Sequence, residues 1–301
     1  MKVKKIYKLI ALTAIILAAA LAFTACSLPS WWPSWMGGTS PAVTIPGDGN
    51  DIDPDLFKSH LYIELTEITG LNITLYITKT GEGELTIDWG DYTAFKTVIT
   101  NGVSINYHIY EDYGTYDITV WRSSGACTYA FGNNAATGSL FGLETSAKSI
   151  LVNCVIGNDV IVILSSSFTD CIKLKSFIIS DSVTSIGSYA FYECVQLESI
   201  SIPAGVINIA ITAFFRCFSL ESIIIYGAPE IAYGAFAQCS ALREVILHST
   251  VPPVVAIDVF IATNTVFNFY VPDGYIEVYR TDSFFSNYYF RIFPISARPV
   301  G

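Results

Sequence analysis

The chain has 301 residues, with 16 Lys and Arg against 26 Asp and Glu and a formal net charge of −10. That acidic balance argues against a nucleic-acid binder, whose phosphate contacts need a basic face. Hydrophobic residues make up 52% and charged residues 14%, against a usual charged share of about 25%, so the chain is folded, with a large core and length for roughly two domains.

The N-terminus reads as an export signal. Lys2, Lys4, Lys5 and Lys8 precede an uncharged run from Leu9 to Ala25. A basic start and a short apolar run make a secretory signal rather than a spanning helix, which needs about 20 apolar residues. The run ends Leu21-Ala22-Phe23-Thr24-Ala25-Cys26. Small residues directly before a cysteine resemble a bacterial lipobox, with Phe23 standing where such boxes usually have Leu. The resemblance implies loss of residues 1–25, lipidation of Cys26 and anchorage to the cell envelope. The alternatives are an uncleaved anchor helix or ordinary signal cleavage beside a bystander cysteine. Ser27 is neutral and, by analogy with lipoprotein sorting, carries no inner-membrane retention signal.

Loss of the four signal lysines leaves 12 basic residues against 26 acidic ones, a formal −14. Charge then does not help membrane binding, and the acyl chains must supply it, at about 0.8 kcal/mol per buried CH2. Residues 26–58 are expected to be the lipid anchor and a flexible linker. Trp31, Trp32 and Trp35 lie either against the headgroups or in an unstructured tether. Gly, Pro, Ser and Asp punctuate 37–55. Asp48, Asp51, Asp53 and Asp55 lack the Gly and Glu of a calcium loop and read as a solvated acidic tether.

Residues 59–123 are expected to form a β-sandwich. Leu61-Tyr-Ile-Glu-Leu, Leu71-Asn-Ile-Thr-Leu-Tyr-Ile, Glu84-Leu-Thr-Ile-Asp-Trp and Tyr116-Asp-Ile-Thr-Val-Trp alternate with period two between glycine turns. Asp88-Trp89-Gly90-Asp91, Tyr107-His108-Ile109-Tyr110 and Tyr113-Gly114-Thr115-Tyr116 resemble the W-G-D-G, H-x-Y and G-x-Y marks of a PKD domain, with Tyr92 replacing the last Gly of the first. That resemblance implies an immunoglobulin-like spacer or interaction module without catalysis. A metal or acid-base site from Asp88, Asp91, His108 and Asp112 is the competing reading. Turn carboxylates more often accept backbone N–H bonds.

Residues 124–149 read as a connector and repeat cap, and 150–301 as repeats. Phe168, Phe191, Phe214 and Phe236 recur at intervals of 23, 23 and 22, as do Cys171, Cys194, Cys217 and Cys239, and Leu174, Leu197, Leu220 and Leu242. An earlier, degenerate copy aligns Asn153-Cys-Val with Ser176-Phe-Ile. A period in this range with leucine-spaced strands means a leucine-rich repeat solenoid. Ala190-Phe191-x-x-Cys194-x-x-Leu197-x-Ser199-Ile200-x-Ile202-Pro203 resembles the BspA-type repeat in particular. Val251-Pro252-Pro253, Tyr270-Val271-Pro272-Asp273-Gly274 and Arg291-Ile292-Phe293-Pro294-Ile295 resemble that family's closing segment. The fold class is therefore mainly β: a PKD-type sandwich, then a solenoid with a parallel sheet and a short helical or irregular convex side.

The resemblance implies a surface-exposed bacterial protein of adhesion, without catalysis or cofactor. Within each strand Leu197, Ile200 and Ile202 should face the core, with Phe191 on the opposite wall. The cysteine column reads as a stack of buried thiols; disulfides between neighbouring coils are the alternative, and a zinc site would need ligands spread over about 15 Å. The partner face is expected at Ile178, Ser201, Ile224 and Ile246, with Ser180, Pro203, Tyr226 and His248 beside them, three isoleucines forming an exposed apolar patch. The ligand would be a protein or glycan, with the membrane held through the lipid. The other readings are an exported glycan hydrolase using Asp88 with Asp91 or Glu111 with Asp112, and a purely structural envelope protein. No metal site and no nucleophile motif is legible.

Overall fold

The structure, a computed structural model, describes residues 54–67, 72–93, 95–133, 139–141, 149–264 and 266–299. The signal, Cys26, the tryptophans at 31, 32 and 35, and Asp48, Asp51 and Asp53 lie outside the described residues.

Alternation builds the first unit. Strand β1 (Ser59–Leu65) buries Leu61, Ile63 and Leu65, and β2 (Asn72–Thr80) buries Ile73, Leu75 and Ile77. They are followed by β3 (Gly83–Asp88), β4 (Lys96–Val98), β5 (Gly102–Ile109), β6 (Gly114–Gly125) and β7 (Thr128–Phe131). One antiparallel sheet runs β1-β6-β3-β4 and a second runs β5-β2-β7. Leu61, Ile63, Leu75, Ile77, Leu85, Ile118 and Val120 belong to one shared core. The unit does not stop at 123: β6 continues to Gly125, and β7 pairs with β2, carrying the unit to Phe131. The burial of Tyr129, Ala130 and Phe131 in succession explains why period-two reading misses β7.

The solenoid has two parallel ladders. The longer strands are β8 (Leu151–Val155), β10 (Ser176–Ile178), β12 (Ser199–Ile202), β14 (Ser222–Ile225), β16 (Glu244–Leu247), β18 (Asn268–Val271) and β19 (Ile292–Pro294). Between them run two-residue strands: β9 (Val162–Ile163), β11 (Ser185–Ile186), β13 (Asn208–Ile209), β15 (Glu230–Ile231) and β17 (Val254–Val255). The register is that of the repeat: Ser176 pairs with Asn153, Ile224 with Ser201 and Ile246 with Ile224.

Between the ladders each coil turns through two left-handed residues. Ser166, Tyr189, Thr212 and Asp258 take φ near +60° at one phase, and Asp170, Glu193, Arg216, Gln238 and Ala262 at another. Non-glycine residues are uncommon there because Cβ crowds the following carbonyl. Only at Gly234, which fills the first phase in its coil, does the sequence supply the residue that fits easily.

Both ends of the stack are covered. Strand β8 would present an open edge, but β1 pairs with it antiparallel, so one sheet continues β10-β8-β1-β6-β3-β4. The β unit is therefore the cap that a solenoid terminus needs, joined to it by ladder hydrogen bonds. At the far end the helix α1 (Ile276–Thr281) and the rings of Phe267, Phe269, Phe285 and Tyr288 close the core.

The repeat columns are physical stacks. The rings of Phe168, Phe191, Phe214, Phe236 and Phe260 lie nearly parallel, with centroids 4.8–5.8 Å apart. The six described cysteines are buried and form no disulfide with one another. Three of them reach a carbonyl of the preceding coil: Cys194 Sγ donates to Phe168 O at 3.2 Å, Cys217 to Phe191 O at 3.3 Å and Cys239 to Phe214 O at 3.3 Å. A thiol suits the site because it is small, apolar and still able to use a buried carbonyl's second lone pair.

Burial pushes the Cys154, Cys194 and Cys217 thiols well above their ordinary range. Since the thiolate is the reactive form, the native chain at pH 8 should leave its six described cysteines unmodified by an aromatic disulfide reagent. Unfolding in guanidinium should release all six. Rapid native labelling would show that the stack is open.

Candidate binding face

The outward row across the sheet runs Val155, Ile178, Ser201, Ile224, Ile246, Tyr270 and Phe293. It is open at Ile178 and Ser201, closed at Ile246 and Tyr270, and open again at Phe293. Ile178 is 48% exposed, Ser201 is exposed and Ile224 is half-buried, but Ile246 is only 2% exposed. The expected patch of three exposed isoleucines is thus not present. Ile246 points outward, but its cross-strand neighbours are Ile224 and the buried Tyr270. On the same face Glu244 is gripped by Arg298, Nε to Oε2 at 2.8 Å and a second guanidinium nitrogen to Oε1 at 2.6 Å. Arg298 draws the C-terminal segment onto this end. The same contact, with Ser222 Oγ donating at 2.9 Å, holds the Glu244 carboxyl below its usual range against the opposing effect of burial.

The second column also divides. Ser180 and Pro203 are buried, contrary to expectation, because Ser180 Oγ bonds to Asn158 Oδ1 of the preceding coil and to Ser182 Oγ. Tyr226 and His248 are exposed, and their rings stack 4.7 Å apart at 12°. Partial burial lowers the His248 pKa, so this stack is uncharged at neutral pH.

Between β10 and β12 the ladder is interrupted, and a cleft of about 270 Å3 opens on the outward face, lined in part by Ser176, Ile178, Ser199, Ser201, Pro203 and Tyr226. Proline removes one bond at the break. One coil on, Tyr226 N–H donates to Ile202 O at 3.0 Å, and two coils on, His248 N–H donates to Ile225 O at 2.9 Å. The equivalent residue here is Pro203, which has no N–H to donate to Ile179 O. The cleft joins an apolar wall, three serine hydroxyls, the Asp181 side chain and an aromatic plate, Tyr226. Of its lining, sequence reading named Ile178, Ser201, Pro203 and Tyr226. Ser176 and Ser199 were missed, although they stand two residues before the outward position in their coils.

Asp88 and Asp91 are engaged in a corner of the β unit, whereas Glu111 and Asp112 are exposed and Asp112 takes part through its backbone carbonyl. Asp88 Oδ1 accepts Gly90 N–H at 2.9 Å, and Asp91 Oδ1 accepts the Thr93 N–H and hydroxyl at 3.2 and 2.7 Å. His108 Nε2 lies 2.7 Å from Asp91 Oδ2, while its ring stacks on Trp89 at 4.7 Å. Tyr110 donates to Trp89 O at 2.9 Å, and Tyr116 to Asp112 O at 2.7 Å. Burial opposes ionisation of Asp91, but the bonds from Thr93 and His108 outweigh it and hold its pKa below the ordinary value. The three sequence signatures thus meet in one packed corner. Among the described residues no cluster of three metal-ligating side chains occurs, and no helix is long and apolar enough to cross a membrane.

Residues 145–286 match the BspA type leucine-rich repeat region, in six copies. No curated protein matches the chain. Among solved structures the chain is similar to the pneumococcal vaccine antigen PcpA, at 15% identity over 55% of this chain and 44% of that one, with a TM-score of 0.36. It is also similar to a leucine-rich repeat protein from Bacteroides ovatus, at 18% identity over 65% of this chain and 60% of that one, with a TM-score of 0.30. The alignments therefore span less than two thirds of either protein.

Proposed function

We propose that this chain, whose residues 145–286 form a BspA-type leucine-rich repeat region, is an exported envelope protein, anchored through a lipid on Cys26, that binds a protein or glycan partner with the outward face of its sheet. The cleft between β10 and β12 carries this reading. Its serine hydroxyls, the Asp181 carboxylate and the Tyr226–His248 stack suit a ligand that offers hydrogen-bond donors and a flat apolar surface. The chain's net negative charge disfavours an anionic one. The β unit, by its Trp89, His108 and Tyr110 marks, is of PKD type, and it serves as cap and spacer rather than as the binding part.

Two measurements test the proposal. Intact mass should find acylated Cys26, and external protease should strip the repeats from intact cells; an unlipidated mass or a protected chain would overturn the anchored surface reading. Against glycan and host-protein arrays, Ile178→Asp and Tyr226→Ala should each weaken capture about tenfold or more, the size expected of an anchor residue. Ile207→Asp, at an exposed residue just before β13, should change nothing. Equal loss in all three variants, or in none, would remove the cleft from the binding role.

A further inference from the structure

Strand β5 is built inside out. Its inward residues are polar: Asn106 is buried and donates to Leu75 O at 3.2 Å, Ser104 donates to Ile77 O, and His108 joins Asp91. Its outward residues are Val103, Ile105, Tyr107 and Ile109, all at least 46% exposed and Tyr107 reaching 72%. A strand with one solvated face normally turns its apolar residues inward.

Its position adds a second anomaly. β5 ends its sheet, pairing with β2 on one side, and its eight residues, GVSINYHI, contain no Lys, Arg, Asp, Glu or Pro. Exposed edges are usually protected by such residues, by brevity or by a cover. The edge strand of the first sheet, β4, has three residues and carries Lys96.

We infer that β5 is the site where two copies of this chain join, edge to edge and antiparallel, about a two-fold axis at Asn106. In that register Val103 faces Ile109 of the second copy, and Ile105 faces its Tyr107. Every outward pair is then apolar on apolar, the pairing that stabilises adjacent strands. A second copy is the occupant that fits on three counts. The strand's outward pattern is complementary to itself under the two-fold. In a chain of net charge −10, this uncharged edge lets two like-charged molecules meet without a local opposing charge. The main-chain edge, unpaired among the described residues, also needs hydrogen-bond partners, which a second strand supplies and a lipid surface does not.

The test is sedimentation of the full chain in mild detergent across a dilution series. A concentration-dependent dimer is expected. Ile105→Lys and Tyr107→Lys should each raise its dissociation constant at least about tenfold, with the melting temperature of dilute protein unchanged. In mixed samples, chains carrying Ile105→Cys should cross-link to chains carrying Tyr107→Cys more readily than to themselves. A wild-type monomer at about 100 μM, well above the micromolar affinities that mark specific pairing, would overturn the inference, as would a dimer that both lysine variants leave intact. So would lysine-sensitive binding to phospholipid vesicles in place of dimerisation. Protein that pelleted without a defined dimer would likewise overturn it.

Discussion

Phe214→Ala should lower the stability of the folded chain by about 3–5 kcal/mol, the range for removing a fully buried phenylalanine. Phe214 is completely buried, with its ring 4.8 Å from Phe191 at 5° and 5.1 Å from Phe236 at 11°. Alanine there would interrupt the stack and leave a ring-sized void in a core that packs at crystal-like density. Domains are stable by only about 5–15 kcal/mol, so the loss is a large fraction of the whole. Phe215→Ala provides the contrast. Phe215 is partly exposed and stacks on Tyr192 at 5.4 Å on the outside of the coil, so about 1 kcal/mol is expected. Urea unfolding of the two variants against wild type separates the cases. Equal effects would mean that Phe214 does not sit within a continuous core.

Gly157→Ala tests the joint between the β unit and the solenoid. A Cβ at Gly157 would lie 2.4 Å from Phe57 O and 2.6 Å from Phe57 C, both backbone atoms that no side-chain rotation can clear. Around it the joint is closely bonded. Gly157 N–H donates to Ser59 Oγ at 2.9 Å, Ser59 Oγ shares a hydrogen bond with the Tyr129 hydroxyl at 2.8 Å, and that hydroxyl also bonds Val120 O at 2.7 Å. Asn158 N–H donates to Leu56 O at 3.1 Å, and Arg122 meets the buried Asp159 at 3.1 Å. An inserted methyl must part these backbones, at a cost of about 1–3 kcal/mol, which for a domain of this size lowers the melting temperature by several degrees. Because Asp53–Gly301 form one compact unit, wild type should melt in a single transition and the variant in an earlier one. A wild type that already melts in two steps would show that the β unit and the solenoid unfold separately.

Much of the solenoid is legible without coordinates, because a repeat writes each core contact several times. The phenylalanine, cysteine and leucine columns stand at one phase in successive coils, and a parallel stack can align them in one way only. The same logic placed Leu197, Ile200 and Ile202 inward, where all three are buried. The second ladder was not legible, since two-residue strands such as Ser185–Ile186 are too short to show alternation. Nor did any pattern announce the left-handed turns, filled in most coils by residues with no special freedom at positive φ.

The binding face shows where local pattern stops. Periodicity puts Ile178 and Ile246 in one row, but Ile178 is exposed and Ile246 is buried. Near the buried end Glu244 is held by Arg298, 54 positions away, and Ile246 lies between Ile224 and the buried Tyr270. Pro203 could be seen as part of the repeat motif, whereas the cleft it lines with Ile178 and Tyr226 follows only once three successive coils are set side by side.

By itself, then, the sequence determined the period, the inward columns, the alternating strands of the β unit and the excess of acid, all properties that each residue shares with near neighbours or with its own repeat. The tertiary structure alone decided that β1 caps β8, that Ile246 is covered while Ile178 is open, and that β5 carries its apolar side outward at a free edge. Those outcomes rest on pairings between positions as distant as Ser59 and Gly157, 98 residues apart. No local pattern encodes such a pairing, because its free energy exists only once both surfaces have formed.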